Sequence, residues 1–171
     1  LTSSTPKRLR YKLYIFLAIL IVVLIIDQIL KHEILQIALQ KYGSINIDSI
    51  SYLFRSEIID IALVFNKGVA FSFLTFLGDN LKYIQLLLIL IIIIFFIQQR
   101  RFFEDYFIGF GFIFGGGISN IIDRFLYKGV VDYIYWHYQF NFAIFNLADM
   151  SINLGIIIMI ITMLIKRRNA R

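Results

Sequence analysis

The sequence predicts a mainly α-helical membrane protein: a four-transmembrane-helix bundle in one domain, with a small polar portion on one side of the bilayer. Three observations predict it. The 171-residue chain is 60% hydrophobic, with a mean hydropathy of +0.80, whereas a soluble domain is about half apolar. Four apolar runs have roughly the length a helix needs to cross the hydrocarbon core. The basic residues crowd at those run ends that would share one side. Cysteine is absent, which excludes a disulfide framework, a thiolate nucleophile and Cys-ligated zinc.

Lys7, Arg8, Arg10 and Lys12 precede the unbroken apolar run Leu13–Ile26. Ile29 and Leu30 extend it past Asp27 and Gln28 to a first span of about 13–30. A basic start before an apolar run is also the pattern of a cleavable signal peptide, but no A-x-A site follows and the run is long for such a peptide. Residues 31–80 are more polar. Within them Ile58–Leu77 is apolar but broken by Asn66, Lys67 and Gly68. It reads either as a fifth span or as β structure, because I-A-L-V-F and V-A-F-S-F are rich in strand formers and flank the turn-like N-K-G. The second span is 81–98, closed by Gln98, Gln99, Arg100 and Arg101, and the third is 106–122. In the third, Gly111 and Gly115 form a G-x-x-x-G pair with Gly116 and Gly117 adjoining, which permits close helix approach. Residues 125–145 form an outer loop or helix rich in aromatics: Tyr127, Tyr133, Tyr135, Trp136 and Tyr138. Such residues favour the headgroup level; an ordinary amphipathic connector is the plainer reading. The last span, 148–165, ends in Lys166, Arg167, Arg168 and Arg171.

Four spans put both termini and residues 98–105 on one side. That side holds ten of the 17 basic residues and only two of the 11 acids, Glu104 and Asp105. The positive-inside rule makes it the cytoplasm, and a fifth span would force one basic terminus outside. The basic charge is thus a topology signal that also suits anionic headgroups. Nucleic-acid binding, which needs a basic soluble face, is not expected. Asp27, residues 31–80, Asp123, Asp132 and Asp149 all fall on the extracytoplasmic side.

Carboxylates beside hydrocarbon are expensive and usually functional. Other hydrolase chemistries find little support. G-x-S-x-G is absent, His32-Glu33-Ile34-Leu35-Gln36 lacks the second His of a zinc motif, and no local pattern singles out a Ser–Lys pair. Two Asp side chains at close range resist double ionisation, so one keeps a proton. The ionised partner draws a proton from water while the other donates to a peptide carbonyl, which is general acid–base hydrolysis. Asp123 and Asp132 are both fair partners for Asp149 on spacing. The structural alternatives are a helix cap for Asp149 and a pairing of Asp123 with Arg124.

Five blocks in order carry a resemblance: D-Q-I-L-K (Asp27 to Lys31), F-N-K-G-V-A-F-S-F (Phe65 to Phe73), G-G-G-I-S-N-I-I-D-R (Gly115 to Arg124), V-V-D-Y-I (Val130 to Ile134) and F-N-L-A-D (Phe145 to Asp149). With four spans, the chain resembles the lipoprotein signal peptidases, the bacterial membrane aspartyl proteases also called signal peptidase II. The resemblance implies a four-helix membrane bundle in the bacterial inner membrane, an extracytoplasmic β-cradle at about 42–77 and a short extracytoplasmic helix. It implies cleavage of diacylglyceryl-modified prolipoproteins just before the lipid-bearing cysteine, inhibition by globomycin-type compounds, and no cofactor or metal. It places the catalytic dyad on Asp132 and Asp149, and substrate-binding or supporting roles on Asp27, Lys31, Asn66, Gly68, Asn120, Asp123, Arg124, Asn146 and Ala148. Three positions depart from the family pattern, namely Ser119 for Gly, Ala143 for Pro and Met150 for Ser, and these touch local geometry.

With that assignment, Asp123, Arg124 and Asn120 are expected to hold the site together. Asp27 and Lys31, four apart on one helix, suit an ion pair; the alternative is a snorkelling interfacial pair. Asn66 is expected to present its amide to the substrate backbone or to a catalytic carboxylate, though a loop Asn is also a turn former. Ile58–Leu77 is expected to be a lid, with Gly68 and Gly78 as hinges. The rival functions are a small transporter or cation relay using the outer carboxylates, and an assembly subunit packing through its Gly-rich helix.

Overall fold

A computed structural model describes residues 6–68 and 75–170. Among them, four helices are long and apolar enough to cross a membrane: α1 (Pro6–Tyr42), α2 (Leu81–Gln98), α3 (Arg100–Tyr127) and α4 (Leu147–Asn169). Three strands, β1 (Ser51–Phe54), β2 (Ile59–Asn66) and β3 (Val130–Trp136), form an antiparallel sheet in that order. The sheet sits at one end of the bundle, where the Tyr42 hydroxyl at the end of α1 donates to the Tyr52 carbonyl of β1.

Hydropathy finds where a helix is apolar, not where it stops. α1 runs on past its expected end at residue 30 because its later turns keep a helical apolar stripe. Leu35 and Ala38 cover Leu63 and Phe65 of β2 and Val131 of β3, a small core separate from the aromatic one at the other end. α3 likewise begins at Arg100, before its expected start at 106. Its charged first turns are held by Lys12 to Glu104 at 3.3 Å and Lys166 to Asp105. Those pairs gather the start of α1, the α2–α3 junction and the end of α4 at the end of the bundle away from the sheet. There Gln99 alone separates α2 from α3; its N–H donates to the Phe95 carbonyl and its carbonyl accepts from Phe102. Phe16, Phe103, Phe110 and Phe114 form the core at that end, with the Phe96 ring tilted against Phe110, ring centres 4.3 Å apart. The outward residues of α2, such as Leu87, Ile91 and Ile94, are exposed, as a helix bathed in lipid requires.

α3 is the central helix and its glycines set its distance from two neighbours. Gly111 and Gly115 lie against Ile19 and Val23 of α1. On the other face a Cβ on Gly155 would stand 2.5 Å from the Gly109 carbonyl oxygen, and one on Gly116 would strike the Ala148 carbonyl. The Gly-rich run therefore brings α4 in by its first turn, where Asp149 lies.

One expectation is corrected. Residues 125–145, expected as a loop or short helix, contain β3. V-V-D-Y-I-Y-W is β-branched and aromatic, suited to a pleated surface, and it pairs along β2 with Val64 opposite Asp132 and Asn66 opposite Val130. Phe145 then bridges to Ile134 and hands the chain to α4. Within Ile58–Leu77, expected as a lid, residues 59–66 form β2, the central strand, paired on both edges. I-A-L-V-F lies in it; V-A-F-S-F, residues 69–73, lies outside the described ones. The short helical turn Thr75–Asn80, bent at Gly78 with φ 51°, leads into α2.

Gly116→Ala is expected to force α3 from α4 and cost about 1–3 kcal/mol through overpacking. Gly117→Ala meets nothing within 4 Å and is expected to gain about 0.5–1 kcal/mol. Thermal unfolding of the two purified variants in one detergent checks the opposite signs.

Candidate active site

The site is built where α1, α3, β3 and α4 meet. Asp27 and Lys31 lie one turn apart on the face of α1 against α3. Lys31 Nζ is 2.7 Å from Asp27 Oδ2 and 2.7 Å from Asp123 Oδ2, and donates to Asn120 Oδ1 at 2.9 Å. All three ammonium donors are thus used. Asp27 and Asp123 are 0% exposed and Lys31 is 1% exposed, so the pair does not snorkel. Asp123 faces Lys31 rather than the adjacent Arg124, since neighbouring helical residues point apart.

Each carboxylate also holds a backbone N–H. Asp27 Oδ1 accepts from Ala148 N at 2.8 Å, and Asp123 Oδ2 accepts from Val131 N at 3.1 Å. Those residues immediately precede Asp149 and Asp132. Arg124 donates from one terminal nitrogen to the Asn120 carbonyl and from the other to the Gly68 carbonyl. The Gly68 N–H in turn reaches Asn66 Oδ1 at 3.0 Å.

Asp132 and Asn66 share one sheet face, as the two-residue period of a strand requires. Asn66 Nδ2 donates to Asp132 Oδ2 at 3.0 Å, and Asn146 Nδ2 donates to Asp132 Oδ1 at 2.7 Å. Asn146 caps α4: its Oδ1 accepts from Asp149 N at 2.8 Å, and Asp149 Oδ2 accepts from Asn146 N at 3.2 Å. Asn120 Nδ2 completes the chain to Asp149 Oδ1 at 2.9 Å. Asp149 is therefore a helix cap as well as a site residue. All the residues singled out above, Ala148 and Gly68 included, lie in one hydrogen-bonded network.

Asp132 and Asp149 line one cavity of about 690 Å³. Its polar end holds Asn66, Asn120 and Arg124; its apolar end holds Ile152, Leu154 and Ile157 of α4. Burial, then the charge of Asp149, pushes the Asp132 carboxyl up to about 8 against the pull of Asn66, Lys31 and Asn146. The Tyr133 hydroxyl, pushed up to about 12 chiefly by burial, stays neutral and accepts from Leu147 N at 3.3 Å. His32 is exposed on α1 and His137 pairs with Asp60 on the sheet at 3.1 Å. Among the described residues no His, Cys, Asp and Glu cluster could hold a metal ion.

Sequence reasoning passes over two members of the network. Gln28 donates to Ser119 Oγ at 2.8 Å and to Asp123 Oδ1 at 2.9 Å. Ser119 Oγ donates to Asp27 Oδ2 at 2.6 Å. The departure from Gly at position 119 thus adds a hydroxyl that joins α1 to α3. The available signal was an amide inside the apolar run of α1.

Residues 19–165 match the family model described as Signal peptidase (SPase) II. The chain is 45% identical over 155 residues to a lipoprotein signal peptidase of Helicobacter acinonychis (strain Sheeba), covering 91% of this chain and 90% of that protein. It is 40% identical over 117 residues to one from Campylobacter jejuni (strain RM1221), covering 68% and 75%. Two solved bacterial membrane enzymes, both determined by the in meso method, share the fold. One, at 2.3 Å resolution, has a TM-score of 0.68, 26% identity and 91% coverage of both chains. The other, at 1.9 Å, has a TM-score of 0.64 and 28% identity, covering 87% of this chain and 92% of that one.

Lys31→Met is expected to leave two buried carboxylates without their cation, at a cost of about 3–5 kcal/mol. Loss of folded protein on gel filtration, with a lowered unfolding temperature, checks it. Asp123→Asn is expected to lose stability in the same direction.

Proposed function

Because the chain belongs to the signal peptidase II family, we propose that it cuts diacylglyceryl-modified prolipoproteins just before the lipid-bearing cysteine, with water activated by Asp132 and Asp149. The observation that carries this reading is a short chain of amides. Asp132, Asn146, Asn120 and Asp149 are linked in sequence, and both carboxyl groups face one cavity.

In this scheme Asp132 carries the proton at neutral pH, as its raised position near 8 supports. Asp149 accepts from Asn120 and Asn146 at the first turn of α4, where a carboxylate is favoured, and acts as the base. It takes a proton from water; the oxygen attacks the scissile carbonyl carbon; Asp132 donates to the carbonyl oxygen. Collapse of the tetrahedral intermediate re-forms the C=O and breaks the C–N bond: one hydroxyl proton returns to Asp132, and the proton held by Asp149 goes to the leaving amine. Asn66 and Asn146 hold the two Asp132 oxygens throughout. The apolar end of the cavity takes lipid-like parts of the substrate, whose anchorage sets the depth of the scissile bond. Globomycin-type inhibitors would occupy the same space.

The topology proposed with it puts the protein in the bacterial inner membrane, with both termini cytoplasmic and the sheet and site outside. The support is charge: the end of the bundle away from the sheet carries Lys7, Arg8, Arg10, Arg100, Arg101, Lys166, Arg167 and Arg168, and cytoplasmic ends are Lys- and Arg-rich. A transmembrane cation relay needs ionisable groups along its path; the network described here lies at one end.

Asp132→Asn and Asp149→Asn are each expected to abolish cleavage of a lipidated precursor peptide while membrane levels of protein stay near wild type. Gel-shift of the precursor with immunoblotting checks both; full turnover in either variant would remove the dyad. A second expectation concerns pH. Folding raises Asp132 from 3.8 to about 8, so the folded state binds the extra proton between those values. Stability from this group is complete below the unfolded value and is lost as pH rises toward the folded one. The unfolding temperature is therefore expected to fall between 3.8 and about 8 and to level off above, while cleavage falls as pH passes about 8; Asp132→Asn is expected to flatten the stability curve over that window.

A further inference from the structure

Gln85 is an isolated amide on α2, followed by the unbroken apolar run 86–97. Its Oε1 is buried and has no hydrogen-bond partner. It lines the cavity that holds Asp132 and Asp149. Arg124 Nε, on the next helix and lining the same cavity, is likewise buried and unpartnered, although both terminal nitrogens of that guanidinium are engaged. α2 and α3 are aligned here by Tyr83 against Phe125, ring centres 5.9 Å apart, and by Lys82 over the Phe125 ring at 5.0 Å. Two residues lining this cavity, on neighbouring helices, thus each carry a buried polar atom without a partner: an acceptor on Gln85 and a donor on Arg124.

Leaving a buried polar atom without a partner is costly, and each such atom in a native site calls for a reason. The missing partner of Gln85 Oε1 must donate an N–H or O–H. The ester oxygens and thioether sulfur of a diacylglyceryl cysteine only accept, so the substrate's own lipid cannot supply it. A peptide group has both halves, an N–H for Gln85 and a carbonyl for Arg124. A signal-peptide segment opened from its helix for cleavage has such groups free, at a depth where nothing else satisfies them.

We propose that Gln85 is a substrate-binding residue whose Oε1 accepts a hydrogen bond from a backbone N–H of the substrate's signal-peptide segment, with Arg124 Nε donating to a backbone carbonyl of that segment. The proposal rests on the protease reading above. It assigns to α2 a share in recognising the main chain, which tolerates varied side chains.

The test uses the full-length protein in nanodiscs and lipidated precursor peptides in which single backbone N–H groups upstream of the modified cysteine are replaced by ester oxygen. Wild type, Gln85→Leu and Gln85→Met are compared. Both variants are expected to raise KM roughly tenfold, with kcat within about twofold and no fall in unfolding temperature. One ester position should raise KM in wild type by the same factor and add nothing in either variant. Binding of the same peptides, read by fluorescence anisotropy, follows the hydrogen bond independently of turnover. Position-specific loss of binding without any cleavage would sink the protease reading and uphold this one. Unchanged KM and Kd in both variants would overturn the proposal. So would equal losses from every ester position in wild type and variants alike, which would leave Gln85 facing water only, or a fall in unfolding temperature with unaltered binding, which would make it a packing residue.

Discussion

One ammonium group shared by two carboxylates organises this molecule. Lys31 sits between Asp27 and Asp123 with almost no access to solvent. A cation and two anions out of water cost several kcal/mol each unless geometry and hydrogen bonds are complete. Here they are complete, because each carboxylate also accepts a backbone N–H. Those N–H groups belong to Ala148 and Val131, so the same interaction that ties α1 to α3 sets the positions of the residues that follow them, Asp149 and Asp132.

The rest of the fold serves that arrangement. α3 reaches both neighbours through glycines, and the contact at Gly116 and Ala148 lies beside the capping box of α4. The sheet closes the top: β2 places Asn66 and β3 places Asp132 on one face, while the other face is sealed by the late turns of α1. The site contains four carboxylates, Asp27, Asp123, Asp132 and Asp149, and two cations, Lys31 and Arg124. Lys31 answers for the first two acids. The second pair is held by Asn66, Asn120 and Asn146, which donate to the carboxylates without neutralising them. Burial and the neighbouring charge of Asp149 raise Asp132 against the pull of those donors.

Much of this is legible in the residues. Four helices follow from hydropathy, and the Asp27–Lys31 pairing follows from a four-residue helical spacing. Other features are hidden for physical reasons. β3 is buried at its first four residues, so it lacks the alternation that marks a half-exposed strand, and its aromatics read as interfacial. The extension of α1 shows only when β2 and β3 are in place to be covered. Gln28 and Ser119 act across helices, about ninety residues apart in the chain, a contact no local pattern encodes. Spacing alone leaves Asp123 and Asp132 as equal partners for Asp149; the resemblance carried by the five motif blocks implies Asp132, and in the structure Asp123 pairs with Lys31 while Asp132 accepts from Asn66 and Asn146.

The most direct measurement is infrared difference spectroscopy of carboxyl protonation across a pH titration in nanodiscs. The account predicts a protonated-carboxyl band in the wild type at neutral pH that fades as pH rises through about 8 and is missing from Asp132→Asn. A band that persists unchanged in Asp132→Asn, or a wild type with no protonated carboxyl at neutral pH, would contradict it.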